Sequence, residues 1–392
     1  MFYIGIDVSK DKHDCFCCND DLQPVFQFQF SNDSIGFNLL FEAIKSLDSS
    51  FDNIKIALEA TGHYSYNITS FILDNDLPLA IINPLHSNLF RKSISLHKTK
   101  TDKVDANVLA RMLIAYPDLK FSTSLDDNDI ILSELKSLTR FRLSLVKDLS
   151  KLKTSLSRII NIVFPEIEKV FSSTNSLYEL LYNFPSAKEI ANAHLTKLTN
   201  VLIKASRGHF SKEKAIQIKE LAKNTVGNSS CASTFELKHT INLINEYNYS
   251  IDKIDKEITT IMDKIASPIT SIPGIGITLA SIIIAEIGNF DNFDSPDKIL
   301  AFAGMSPTIY QSGKYVASSA KMEKRGSKAL RYALYNAARL TSIYCPVFKE
   351  HLARKRSQGK HFNVAISHVV KKLVRVIYHL QTKNELFKNI IN

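Results

Sequence analysis

The sequence predicts a chain of α/β plus α class: a mixed sheet with helices packed on it at the N-terminal end, then a mainly helical remainder. Three observations predict it. Apolar residues alternate with period two in several short runs before residue 82, as half-buried strands do. From residue 135 onward, leucines and isoleucines recur at spacings of three and four, as in paired helices. The last fifth of the chain combines helical apolar stripes with a dense positive charge. With 392 residues, 45% hydrophobic and 22% charged, the chain is long and apolar enough for several cores and is not a disordered polymer. The expected division is 1–125, 126–268 and 269–392.

In the first segment Phe2, Ile4, Ile6 and Val8 alternate with Tyr3, Gly5 and Asp7 to give a first strand. A second runs from His13 to Cys18. After the turn Asn19-Asp20-Asp21 a third runs from Val25 to Phe30, with Phe26, Phe28 and Phe30 on one face. Short turns between them predict an antiparallel meander. Ser34 caps a helix through about Leu47; then come strand Ile54–Ala60, helix Tyr64–Asp74, strand Leu79–Ile82 and helix Lys103–Ala115. The order β-β-β-α-β-α-β-α belongs to a mixed sheet with helices on it.

The second segment carries two heptad seams. Leu135, Leu138, Leu145, Leu149, Leu152, Leu156, Ile159 and Val163 form the first, interrupted at Arg142. Ile244, Tyr247, Ile251, Ile254, Ile258, Ile261 and Ile265 form the second. They predict a coiled-coil hairpin or a dimer seam around a helical insert from about Pro165 to Leu237. The third segment opens with Pro273-Gly274-Ile275-Gly276 before an apolar helix, Ile277–Ile287. Gly274 and Gly276 there let backbone N–H groups approach a phosphate, or simply make a tight helix–helix turn. A helix start at Ser295-Pro296, a glycine-punctuated loop through Gln311-Ser312-Gly313-Lys314, a basic helix with Lys324, Lys328 and Arg331, and a last helix from Asn363 to Leu380 follow.

Charge is unevenly placed. The chain has 49 Lys+Arg and 39 Asp+Glu, a net of +10. Residues 312–392 hold 17 of the basic groups and 3 of the acids, a net of +14, so the rest of the chain is slightly acidic. Such a segment is built for a polyanion, with steeply salt-dependent binding. Three of the five cysteines crowd at Cys15, Cys17 and Cys18, and no second C-x-x-C pair exists to complete a zinc site with them, which points to a reducing cytoplasm rather than a disulfide framework or a zinc site. The N-terminus lacks the basic start of a signal peptide, and no apolar run is long enough to span a bilayer, so no membrane role is expected.

Four acids stand out by placement. Asp7 sits mid-strand among apolar neighbours, where a charge is costly and has no capping role. Glu59 ends another apolar strand. Asp102 and Asp105 share one helical face at i, i+3, where each alone would also serve the helix dipole. Asp11 and Asp14 read as turn or surface acids. If the strands of Asp7 and Glu59 are neighbours and the helix packs on them, the four carboxylates need a divalent cation. Hard oxygen ligands suit Mg²⁺ or Mn²⁺, which support phosphoryl transfer.

Gly5-Ile6-Asp7-Val8-Ser9-Lys10, Leu58-Glu59-Ala60-Thr61-Gly62-His63-Tyr64 and Lys100-Thr101-Asp102-Lys103-Val104-Asp105-Ala106 resemble the Asp-Glu-Asp-Asp insertion-sequence transposases, relatives of the pilin-gene invertases and of the bridge-RNA-guided recombinases. Ile272-Pro273-Gly274-Ile275-Gly276, Phe302-Ala303-Gly304-Met305-Ser306-Pro307, Gln311-Ser312-Gly313-Lys314 and Lys324-Arg325-Gly326-Ser327-Lys328-Ala329-Leu330-Arg331 follow the family's C-terminal motifs in order. The resemblance implies a ribonuclease-H/RuvC-like domain holding Mg²⁺ (or Mn²⁺) with Asp7, Glu59, Asp102 and Asp105. It further implies a coiled coil for assembly and a mainly helical C-terminal transposase domain whose serine attacks DNA. The motif maps that nucleophile to Ser312, although Gln311-Ser312-Gly313-Lys314 departs from the Ser-Ser-Gly-Gly of many members, and Ser318, Ser319 and Ser327 lie nearby. Implied partners are DNA (element ends and target), a guide (bridge) RNA and further copies of the chain, a dimer assembling to a tetramer, in a cytoplasmic, nucleoid-associated setting. Lys98, Lys100, Lys103 and Arg111 on the first domain and Lys314, Lys324, Arg325, Lys328 and Arg331 on the last are the expected nucleic-acid contacts, together with Gly274 and Gly276. Arg91 and Lys92 join the first group. The rival readings are a RuvC-like endonuclease or Holliday junction resolvase that uses water, and a non-catalytic DNA-architectural protein.

Overall fold

A computed structural model describes residues 1–59, 62–94, 102–124, 126–171, 174–307, 311–312, 315–316 and 322–388. For Asp102, Lys103, Thr174, Gln311, Ser312, Tyr315 and Val316 it describes the backbone alone. The chain forms two compact units, Met1–Ile130 and Ile131–Asn392.

In the first unit, strands β1 (Phe2–Val8), β2 (Lys12–Cys18) and β3 (Pro24–Ser31) form the expected antiparallel meander. Helix α1 (Ser34–Leu47) is capped by Asp33, whose carboxylate accepts from the Gly36 N–H. Strand β4 (Ile54–Glu59), helix α2 (Ser65–Asp74) and strand β5 (Leu79–Ile82) follow, and the sheet order is β3-β2-β1-β4-β5, with β4 and β5 parallel to β1. Helix α3 (Pro84–Ile94) then precedes helix α4 (Asp102–Ala115). α3 is absent from the sequence reading because it has no apolar stripe: Ser87 is its one buried residue, and Leu85 and Leu89 are exposed.

The two sheet faces differ in kind. Ile4, Ile6, Cys15, Cys17, Ile56 and Leu58 bury against α1 and α2 residues such as Leu40, Ile44, Ile68 and Ile72. Burial pushes the Cys17 thiol up to about 12, so it behaves as an apolar side chain. The other face carries small residues, Gly5 and Ala57 side by side, under Ala106 and Ala110 of α4. A Cβ on Gly5 would lie 2.0 Å from the Ala106 carbonyl oxygen and 2.6 Å from the Ala110 nitrogen. Glycine therefore sets how closely α4 lies on β1.

The second unit begins along α5 (Asp127–Val163), a helix of 37 residues. Helices α6 (Thr174–Asn183), α7 (Ala187–Asn192), α8 (Leu195–Ala205) and α9 (Lys212–Lys223) form the insert before α10 (Cys231–Ile265). α5 and α10 run antiparallel: Leu132 and Leu135 share a core with Ile254, Ile258 and Met262, while Leu149, Leu156 and Ile159 share another with Leu237, Ile241 and Ile251. Arg142, the break in the first seam, pairs with Asp255 of α10 through the Nε–Nη2 edge of its guanidinium, its Nη2 lying 3.0 Å from Oδ2.

Helices α11 (Ile277–Ile287), α12 (Pro296–Phe302), α13 (Lys328–Tyr344), α14 (Pro346–Ser357) and α15 (Phe362–Lys383) form the last part, with a small hairpin of β6 (Gln311–Ser312) and β7 (Tyr315–Val316) between α12 and α13. The sequence reading has no α14. Its exposed face is nearly all polar or charged and only Phe348 is buried, so it shows no apolar period. Lys324 precedes α13 rather than lying in it, with φ 56°.

Glu286 lies in the apolar helix α11, buried, and accepts from Arg140 Nε at 2.6 Å, Arg140 Nη2 at 3.0 Å and Ser327 Oγ at 2.7 Å. Burial raises its carboxyl pKa, but the hydrogen bonds from Arg140 and Ser327 and the Arg140 and Lys136 charges prevail and hold it below the usual range. A depressed carboxyl contributes stability above its unfolded pKa and loses it as pH falls through the folded one. Glu286→Gln is therefore expected to lower the stability of this unit by about 2 kcal/mol at pH 7. The gap to wild type should narrow below about pH 4. Urea unfolding at both pH values measures it; an equal gap at both would refute the assignment.

Candidate functional site

β1 and β4 are hydrogen-bonded parallel neighbours in the register Ile6 to Leu58, so Asp7 and Glu59 come next on adjacent strands. Both fall on the face that carries Gly5 and Ala57, because side chains alternate along a strand. That face is covered by α4, which brings Asp105 toward the same end of the sheet. Asp102 opens α4, three residues earlier; its side chain lies outside the described residues.

A cavity of about 240 Å³ opens at this end, lined by Glu59, Ser87, Asn88, Arg91, Asp105 and Val108 among others. Ser87 Oγ donates to Glu59 Oε2 at 2.9 Å. Arg91 Nη1 lies 3.2 Å from Asp105 Oδ1, and its Nη2 donates to Asn88 Oδ1 at 3.1 Å. Arg91 and Asp105 are both mostly buried, at 24% and 17% side-chain exposure, so the pair is little screened. α3 is thus the element that carries the positive and hydroxyl groups facing the acids. Arg91, read from sequence as a nucleic-acid contact, is turned instead onto Asp105. A faint local signal marks α3: Asn83 caps the start, its Oδ1 accepting from the Leu85 N–H, with Pro84 at the first helical position.

Asp14 corrects the sequence reading more sharply. It is not a turn or surface acid: it lies on β2 directly opposite Asp7, is buried, and takes hydrogen bonds from Gln29 Nε2 at 2.9 and 3.0 Å to its two oxygens. A third carboxylate thus stands in the same row of the sheet as Asp7 and Glu59. The donor set at this end is all oxygen, from carboxylates, a hydroxyl and a side-chain amide, which is the ligand chemistry of a hard divalent cation. Among the described side chains no group of three or more metal-type donors is drawn together to ligand distance.

The remaining positions divide as follows. Ser312 ends β6, its backbone paired with Tyr315 of β7. Ser327, one of its neighbours in sequence, is committed elsewhere: its Oγ donates to Glu286 and caps α13 by accepting from the Leu330 N–H at 3.1 Å. Arg331 Nη1 donates to the carbonyls of Ala303 at 2.9 Å and Lys324 at 3.3 Å, tying down the loop before α13. Lys324, Arg325 and Lys328 are exposed there. Arg111 is half-buried on α4, near Cys18. Lys98, Lys100 and Lys314, together with Ser318 and Ser319, lie outside the described residues, as does the side chain of Lys103.

Gly274, with φ +97°, is pressed against the backbone of α13 at Leu340 and Thr341, where a Cβ would come within 2.8 Å. Close packing by itself accounts for that glycine. Gly276 precedes α11, and a Cβ added there would meet open space.

Comparison with known proteins places these features. Residues 4–165 match a family model described as a transposase of the Asp-Glu-Asp-Asp type. Residues 266–353 match one described as transposase, IS116/IS110/IS902 family. The pilin gene-inverting protein of Moraxella lacunata is 25% identical over 100% of this chain and 98% of its own length. The insertion element IS116 44.8 kDa protein of Streptomyces clavuligerus is 21% identical, over 98% and 96%. The insertion element IS900 42 kDa protein of Mycobacterium paratuberculosis is 23% identical, over 96% and 94%. Among the described residues no helix is long and apolar enough to cross a membrane. Two transposase models matched in order, with relatives aligned over almost the full length, lead to one conclusion: the chain belongs to the IS116/IS110/IS902 family of transposases.

Proposed function

We propose that this transposase cuts and rejoins the DNA strands of an insertion element with a divalent-metal site in a ribonuclease-H/RuvC-like domain and a serine nucleophile in its C-terminal domain. The observation that carries the reading is the pair of neighbouring strand positions held by Asp7 and Glu59, with Glu59 and Asp105 lining one cavity, at one end of a five-stranded sheet whose first three strands are antiparallel and last two parallel. Asp7, Glu59, Asp102 and Asp105 would hold Mg²⁺ or Mn²⁺, and the oxygen-only donor set fits that ion. When bound, the metal supplies Lewis-acid stabilisation of charge developing on the phosphate and leaving oxygens.

The chain's own residues do the rest. Ser87 orients the Glu59 carboxylate by donating to its Oε2. Arg91 fixes Asp105 and adds a positive charge beside the acids. The Ser312 hydroxyl forms an Oγ–P bond as the P–O bond to a deoxyribose oxygen breaks, with the hydroxyl proton passing to the departing side. Attack by a second strand's hydroxyl on that phosphoserine reverses the exchange, so the bond energy is kept and no nucleotide triphosphate is needed. Exposed Lys324, Arg325 and Lys328 neutralise phosphates. A guide RNA that selects the target and a dimer assembling to a tetramer complete the reading, both supported by the family resemblance alone.

The test is capture of a covalent protein–DNA adduct on an element-end substrate by denaturing gel. Wild type is expected to form it and Ser312→Ala to lose it. Retained adduct in Ser312→Ala would overturn the nucleophile. Adduct-free nicking by wild type would replace this reading with a water-dependent nuclease.

A further inference from the structure

α14 and α15 form a helical hairpin whose inner faces are apolar: Phe348 of α14 and Ile366, Val369, Val370 and Leu373 of α15 are buried. Their outer faces meet along a cleft of about 310 Å³. Arg354 and Lys355 line it from α14, and Lys371, Lys372 and Arg375 from α15, one helical turn apart. His351 and His368 complete the walls, and no acid lines them. A second hollow of about 380 Å³ shares Lys372 and Arg375 and continues past His379 to Lys388. The basic track from His368 to His379 is about 16 Å long, enough to meet several successive phosphates of one strand.

Two acids pair with cations at the edges of this track. Asp297 of α12 is 3.4 Å from Lys371 Nζ and 4.0 Å from Arg375 Nη2, and Glu385 lies 3.8 Å from His379 Nε2. Burial, then the charges of Lys372, Arg354 and Lys355, lower the His351 pKa; burial, then Lys355, Lys360 and Lys371, lower that of His368. The cleft therefore gathers positive charge until it disfavours more, which is the field an anion relieves. Only His351 of its lining falls within the segments matched to the family models, so those matches do not account for the cleft.

We propose that the α14–α15 cleft grips the phosphodiester backbone of duplex DNA, as a contact separate from the basic residues between Lys324 and Arg331. The inference rests on the DNA-transposase reading. Duplex backbone is favoured over an unpaired strand because five of the seven lining residues are Lys or Arg and none is Phe, Tyr or Trp, the broad rings on which splayed bases stack. The five Lys/Arg groups match a partner read by charge and spacing, not by base.

The experiment is a salt titration of binding by the full chain to a mixed-sequence DNA duplex, read by fluorescence anisotropy. Lys355→Gln/Lys371→Gln/Arg375→Gln is expected to reduce the slope of log K against log salt by about 2 to 3 and to weaken binding about 10²–10³-fold at 0.1 M salt. Asp297→Asn, which releases Lys371 and Arg375, is expected to tighten binding, a gain that misfolding does not produce. Wild-type affinity and slope in the triple variant would overturn the cleft alone. A wild-type chain that does not bind duplex DNA would overturn the DNA reading with it. Weakened binding of single-stranded RNA by the triple variant, with duplex binding intact, would overturn the assignment to DNA.

Discussion

Glu59→Gln is expected to lower strand exchange by at least about 10³-fold, equivalent to about 4 kcal/mol of transition-state stabilisation. Binding to duplex DNA should stay within about twofold, because the phosphate contacts proposed for this chain lie on other residues. Glutamine keeps the volume and still accepts from Ser87, so the sheet end keeps its geometry and loses only an anionic oxygen. Asp7→Asn should behave alike, since Asp7 occupies the same row of the same sheet face. Recombination in a two-plasmid assay, with anisotropy for binding, separates the readings. If both variants recombine normally the metal-site proposal fails, and the chain would act on DNA without these acids. Isothermal titration of Mn²⁺ gives a readout that does not depend on turnover: each variant should bind the ion more weakly than wild type.

Gly5→Ala is the change with the largest expected effect on folding. The added methyl would meet backbone atoms of α4 at 2.0 and 2.6 Å, and backbone cannot swing aside as a side-chain tip does. Either α4 moves off the sheet or the variant carries the strain, a loss of about 3 kcal/mol or more. In a unit of this size that is about 10 °C in Tm. Differential scanning calorimetry reads the effect directly. Displacing α4 also shifts Asp105, so recombination should fall together with stability, whereas the Glu59 variant loses activity with its Tm intact. An unchanged Tm in Gly5→Ala would show that α4 does not rest on β1 as described.

Much of this was legible in the chain. Period-two alternation and short apolar runs placed all five strands of the sheet, and heptads placed α5 and α10, because each pattern is local. Asp7 stood out because a charge among mid-strand apolar residues has few structural uses. The polar helices α3 and α14 were invisible for the complementary reason: with one buried residue each, they leave no periodic trace. Arg142 looked like a flaw in a seam until its partner 113 residues away was found to be Asp255. Glu286 passed as one residue of an apolar helix, although its burial is balanced by Arg140 from α5 and Ser327 before α13.

Residue order alone thus told which stretches are strands and helices, where the positive charge collects, and which acids are out of place. Folding settled who faces whom. Register across β2, β1 and β4 turned Asp14 from a surface acid into the buried neighbour of Asp7, and the missing side chain at Gly5 brought α4 close enough to set Asp105 beside Glu59. The same holds for the outward faces of α14 and α15, whose cations converge only once their apolar faces are packed. The physical reason is range: periodicity and propensity act within a few residues, whereas strand register, helix-on-sheet approach and ion pairing join residues dozens to more than a hundred positions apart.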